Sequence, residues 1–195
     1  MQKIEVPKFI KGLIFDCDGT LVDSMPFHMN AWKHAIRSMG QAWHSDFFVS
    51  RKGMPEENIV VQFNEQFSAN LNPVHTVQVK HEYFRQHAAR LKPIPSVLSI
   101  ARKYADILPM AVASGGVREN VMLELETLSI RSLFQTILTA DDNIRPKPAP
   151  DIFLEAAKRI GVPPEYCQVF EDGNLGLQAA RAAGMLPTDV RKYGK

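Results

Sequence analysis

Two hydrophobic rhythms alternate along this chain. Residues 10–18 carry the unbroken apolar run Leu13-Ile14-Phe15 and read as a strand followed by a turn. Similar short runs recur at Pro109-Met110-Ala111-Val112-Ala113, Thr136-Ile137-Leu138 and Gln168-Val169-Phe170, and Met185 to Val190 forms a fifth candidate strand. Short apolar runs of this kind suit strands buried on both faces, as in a parallel sheet. Between them apolar residues fall at helical spacing. Val97 to Tyr104, the set Val121, Leu125 and Leu128, the set Ile152, Phe153, Ala156 and Ile160 before Gly161, and Leu175 to Ala183 before Gly184 each predict a helix. Asn174 is placed to cap the last of these. Residues 25–91 differ. They hold three helical stripes and no strand: Met29, Trp32, Ile36 and Met39 up to Gly40; Ile59, Val60, Phe63 and Phe67; and Val77, His81, Phe84 and Ala88. The expected fold is therefore α/β, a Rossmann-like doubly wound parallel sheet made of residues 1–24 and 92–195. An all-helical cap, residues 25–91, is inserted after the first strand, with hinges near the prolines at 23–26 and 91–95.

Composition narrows the class. With 195 residues, 45% hydrophobic and 23% charged, the chain is an ordinary globular one, and its formal charge of +2 gives no basic surface for nucleic acid or membrane. No apolar run approaches the roughly 18 residues of a membrane span, and Met1-Gln2-Lys3-Ile4-Glu5 lacks the apolar segment of a secretory signal. A cytoplasmic location is expected, with a monomer as the default. The two cysteines, Cys17 and Cys167, have no CxxC partner and are expected to be reduced and packed.

The placement of polar residues carries the functional argument. In open parallel sheets, ligands bind beyond the carboxyl ends of the strands. Asp16 and Asp18 follow the first strand, Ser114-Gly115-Gly116 the second, Lys147 comes after the third, and Glu171-Asp172 follow the fourth. Each alone also suits a solvated turn or a cap; together they place four carboxylates, a hydroxyl and an ammonium on one rim. Oxygen donors with room for water and phosphate favour Mg²⁺. Ser114, the flexible glycines and Lys147 could hold a phosphoryl group and stabilise charge on its oxygens.

These motifs resemble the haloacid dehalogenase-like superfamily. The match runs from Asp16-Cys17-Asp18-Gly19-Thr20 through Ser114 and Lys147-Pro148-Ala149-Pro150-Asp151 to Phe170-Glu171-Asp172-Gly173-Asn174-Leu175-Gly176. With the helical insert, the chain is similar to the β-phosphoglucomutase-like branch, and most to its small sugar-phosphate phosphatases of the fructose-1-phosphate phosphatase type. The resemblance implies that Asp16 is a nucleophile forming an aspartyl-phosphate and that Asp18 is an acid/base. It implies that Mg²⁺ is held by Asp16, Asp172, the backbone carbonyl of Asp18 and Glu171, directly or through water. Ser114, Gly115 and Lys147 would hold the phosphoryl group. It also makes His28, Gly53 and Glu56 candidate substrate-binding residues of the cap, and Asp23 and Asp151 supporting residues. His28 has a second reading, a helix-face histidine in a cluster with Trp32.

Mutases of that branch carry an arginine that grips a second phosphate near Glu56. A carboxylate there would repel such a phosphate, although Arg51, Lys52 or Lys80 could substitute. The expected function is a Mg²⁺-dependent phosphatase acting on a small phosphorylated metabolite, a sugar phosphate by preference. A sugar phosphomutase and a non-catalytic phosphate-binding protein are the alternatives.

Overall fold

The computed structural model describes residues 3–51 and 53–193. Five strands form one parallel sheet in the order β3-β2-β1-β4-β5: β1 Gly12–Phe15, β2 Met110–Ala113, β3 Thr136–Leu138, β4 Cys167–Glu171 and β5 Leu186–Asp189. Register is set by pairs such as Ile14 with Ala111 and with Val169. Every residue of β1, β2 and β4 is buried, which is why these strands read as continuous apolar runs rather than as alternation.

Four helices belong to this α/β unit: α5 Pro95–Tyr104, α6 Arg118–Thr127, α7 Asp151–Arg159 and α8 Asn174–Ala182. One sheet face, with Ile14, Ala111, Ala113, Leu138 and Val169, forms a core with α7 and α8 through Ile152, Phe153, Ala156, Ala179 and Ala180. On the other, Phe15 stacks on Phe170 with ring centroids 4.6 Å apart and meets Phe134 edge-on. Each buried ring contributes about 1.5–3 kcal/mol from removal of apolar surface from water.

The chain divides into two compact units, residues 1–23 with 91–195, and residues 24–90. The second contains helices only: α1 Met25–Ser38, α2 Ser45–Val49, α3 Glu56–Phe67 and α4 Pro73–His87. Its core gathers Trp32, Ile36, Phe47, Phe48, Val60 and Phe63. Asn72 caps α4, its Oδ1 accepting from the His75 N–H at 3.0 Å, with Pro73 as first helical residue.

Three expectations change. The short α2 has no stripe of its own in the sequence and was not predicted. On α4 the fully buried positions are Thr76, Lys80 and Phe84, so the stripe lies one residue away from Val77 and His81, which are only half-buried. Asn174 does not cap α8: it is the first helical residue, Gly173 holds the cap position, and Asn174 Oδ1 instead accepts from Arg191 Nη2 at 3.0 Å. No helix among the described residues is long and apolar enough to cross a membrane. Both cysteines are buried and free of disulfides.

Candidate active site

The strand order reverses direction between β1 and β4, so their carboxyl ends flank the crevice where doubly wound sheets bind ligands. Asp16 leaves β1 there, its N–H donating to the Phe170 carbonyl at 3.0 Å. The chain then folds tightly. The Cys17 carbonyl accepts from the N–H groups of Thr20, Leu21 and Val22, and Gly19 adopts φ +76°. A side chain at Gly19 would also overlap the Asp172 carboxylate. Glycine is thus required twice, by conformation and by space.

Lys147 binds two of the acids. Its Nζ donates to Asp16 Oδ1 at 2.8 Å and to Glu171 Oε2 at 2.7 Å, and all three side chains are largely shielded from solvent. Glu171 accepts at its other oxygen from the Gly173 N–H at 2.9 Å. One carboxylate oxygen each from Asp16, Glu171 and Asp172 lies within 4.8 Å of the others.

Burial is the first cause that raises these acids, and their mutual repulsion adds to it. Asp16 rises to about 6 even though Lys147 pulls it down and Asp172 pushes it up. Glu171 rises to about 7, with Asp16 raising it and Lys147 opposing. Asp172 rises to about 6, with Glu171 and Asp18 adding to burial. Lys147 is held above the ordinary lysine range: burial works against its charge, and Asp16 and Glu171 outweigh it. Three acids and one ammonium leave an excess of negative charge, and the all-oxygen donor set suits a hard divalent cation.

Ser114 follows β2 and is buried, its N–H donating to the Leu138 carbonyl at 3.0 Å. Its Oγ accepts from the Gly116 N–H at 3.0 Å. That amide, expected from sequence to face an anion, is therefore used within the loop. Gly115 is exposed, with open space around it. A Cβ on Gly116 would lie 3.1 Å from Asp18 Oδ2 and 3.3 Å from Ser114 Oγ, so these two groups are neighbours.

Gly176, in the first turn of α8, has its own constraint. A Cβ there would overlap the Glu171 carboxylate. We expect Gly176→Ala to fold but to displace Glu171 from Lys147, weakening divalent-metal affinity by about tenfold or more. Calorimetric titration with Mg²⁺ measures this, and unchanged affinity would show that Glu171 does not shape the site.

The surroundings of Cys17 disfavour a thiolate. Burial first, then the Glu124 and Asp18 carboxylates, hold its thiol well above the ordinary range. Asp151 opens α7, and its Oδ1 accepts from Arg145 Nε at 2.8 Å. The Asp23 N–H donates to the Lys92 carbonyl at 2.8 Å.

In the helical unit, His28 lies on α1 with its ring stacked on Phe84, centroids 4.2 Å apart. Gly53 is an exposed glycine at φ +86°. Glu56 opens α3 and is not an isolated negative charge. Its Oε1 accepts from Lys80 Nζ and its Oε2 meets His81 Nε2, both at 2.5 Å. Burial opposes its ionisation, but Lys80 and His81 prevail and lower it to about 2. The expected repulsion of a second phosphate therefore weakens, because the charge is compensated. The proposed substitutes for an arginine are committed as well. Lys80 is buried in that pair, and Arg51 donates to Gln62, Gln66, Ser50 and the Phe47 carbonyl while covering the Phe47 ring. Lys52 lies outside the described residues.

Two further charged residues, Arg191 and Glu124, lie outside the pattern read from sequence. Arg191 follows the fifth strand and pairs with Asp189 through Nε and Nη2 at 2.8 Å each; extending the strand-end rule to β5 finds it. Glu124 sits on the apolar stripe of α6 between Val121 and Leu125, where a charged residue is itself a signal.

The model of the haloacid dehalogenase-like hydrolase family matches residues 13–188. The chain is 37% identical to the fructose-1-phosphate phosphatase YqaB of Escherichia coli, covering 92% of this chain and 96% of that one. It is 27% identical to the β-phosphoglucomutase of Bacillus subtilis, over 90% of this chain and 83% of that one. Among solved structures, CbbY from Rhodobacter sphaeroides in complex with phosphate superposes with TM-score 0.81 at 24% identity, covering 91% and 84% of the two chains; at that identity the likeness is one of fold.

Proposed function

Since this chain belongs to the haloacid dehalogenase-like hydrolases, we propose that it is a Mg²⁺-dependent phosphatase that hydrolyses a small sugar phosphate through an aspartyl-phosphate. One observation carries the proposal: the buried Asp16–Lys147–Glu171 array, with Asp172 beside it, at the carboxyl ends of β1 and β4.

Asp16 is the nucleophile. Attack on phosphorus needs its ionised form, which burial disfavours and Lys147 restores. Asp18 gives a proton to the leaving sugar oxygen and then takes one from the water that attacks the aspartyl-phosphate. Ser114 and Lys147 hold the phosphoryl oxygens. Mg²⁺ would be held by Asp16, Asp172 and the Asp18 carbonyl, and would offset charge on the transferring group. Both Glu171 oxygens already accept hydrogen bonds, which suits contact with the cation through water. Choice of substrate is assigned to the helical unit, with His28, Gly53 and Glu56 as candidates.

The internal commitment of Arg51 and Lys80 favours hydrolysis over phosphoryl return to a bisphosphate. The 37% identity to a fructose-1-phosphate phosphatase supports a sugar phosphate as substrate. A panel of sugar phosphates should release free phosphate only with Mg²⁺. Turnover of no phosphoester would refute catalysis. Conversion of β-glucose 1-phosphate to glucose 6-phosphate, stimulated by a bisphosphate, would replace hydrolysis by mutase activity.

A further inference from the structure

Helix α6 buries an uncommon face: of its buried residues Asn120, Val121, Glu124 and Leu125, two are polar. Glu124 has no exposed surface. Removing a carboxylate from water costs several kcal/mol unless partners compensate it. A leucine at this position would simply complete the stripe of Val121 and Leu125. The apolar pattern of the helix therefore gives no reason for an acid here.

What Glu124 does reach is the loop after β1. Cys17 Sγ donates to its Oε2 at 3.1 Å across 107 residues of sequence. A thiol is a weak donor, strengthened when its acceptor is charged. Cys17 lies between Asp16 and Asp18, and its carbonyl anchors the turn by accepting from three N–H groups. A Glu124 oxygen also lies within 4.8 Å of an Asp18 oxygen. From another side, Asp18 meets Gly116 closely enough that a Cβ there would be 3.1 Å away. The loop bearing Asp18 is thus fastened to α6 through Cys17 and rests against the loop that opens the same helix.

We propose that Glu124 is a positioning residue for Asp18: acting through the Cys17 thiol, it holds the loop so that the Asp18 carboxyl stays beside Ser114, where the leaving oxygen takes its proton. This rests on the phosphoryl-transfer reading. Misplacing a catalytic group by about 1 Å can cost on the order of 100-fold. The cost falls on the step that needs the acid, so it depends on the leaving group.

The test compares kcat/KM for a sugar phosphate, a poor leaving group, with that for p-nitrophenyl phosphate, which leaves without protonation. Glu124→Leu should lower the first by on the order of 10- to 100-fold and the second little, with KM for the sugar phosphate nearly unchanged. Glu124→Gln, whose carbonyl still accepts from the thiol, should keep most of the rate. Cys17→Ala should reproduce the loss, and Cys17→Ser, which retains a donor, should restore most of it.

Equal losses for both esters, no loss for either, or a Glu124→Gln variant as slow as Glu124→Leu would overturn the proposal. So would Cys17→Ala at the wild-type rate. A wild-type protein that turns over neither ester instead removes the phosphatase reading, which keeps the two failures distinct.

Discussion

Replacing Asp16 by Asn is expected to reduce phosphate release by at least on the order of a thousandfold, because the amide cannot form the covalent intermediate. The same substitution should stabilise the metal-free protein. Folding raises Asp16 from 3.8 to about 6, so the folded state favours the neutral form. For a group raised in this way, the stabilising contribution is complete below pH 3.8 and is lost as pH rises through about 6. At pH 7.5 the wild type carries the strained anion and the asparagine variant does not. Thermal unfolding in the presence of a chelator should show a higher midpoint for Asp16→Asn at pH 7.5 and little difference at pH 4. A variant that retains most of its activity would show that Asp16 is not the nucleophile.

Lys147→Met should have the largest effect on stability. Lys147 is the cation shared by Asp16 and Glu171. Breaking a buried pair by removing one partner leaves an uncompensated charge and costs about 3–5 kcal/mol. The cost has a pH window. Asp16 and Glu171 sit at about 6 and about 7 with the lysine present, and without it both move higher. Above pH 7 the variant must bury two unpaired anions or take up protons. Near pH 5 both acids are already neutral, and only hydrogen bonds are lost. Urea unfolding at pH 8 and pH 5 should give a large loss at the first and a much smaller one at the second. Equal losses would mean that Lys147 acts by packing rather than by charge. Activity should vanish at either pH, since the same ammonium binds Asp16, the proposed nucleophile.

Strands β1, β2 and β4 were legible as unbroken apolar runs because both of their faces are covered. Helices α1, α3, α5, α7 and α8 were legible from stripes that each bury one face. The strand-end rule led to Asp16, Ser114, Lys147 and Glu171 without any knowledge of contacts, since chain order and strand direction alone place such residues on one rim. In α2, five residues are too few for periodicity to register.

The buried charges followed different physics. Burying a charge requires partners, and here the partners are remote in sequence. Lys80 pairs with Glu56 across 24 residues, Lys147 with Asp16 across 131, and Glu124 receives the Cys17 thiol across 107. From sequence Glu56 is a lone negative charge and Glu124 a charge on an apolar stripe; in the fold the first is neutralised and the second accepts from the thiol of the loop that carries Asp18. Local pattern determined the sheet, the helices and the rim on which the chemistry sits. Only tertiary structure decided which charges are paired, because the energy of a buried charge depends on neighbours that the chain brings together from far apart.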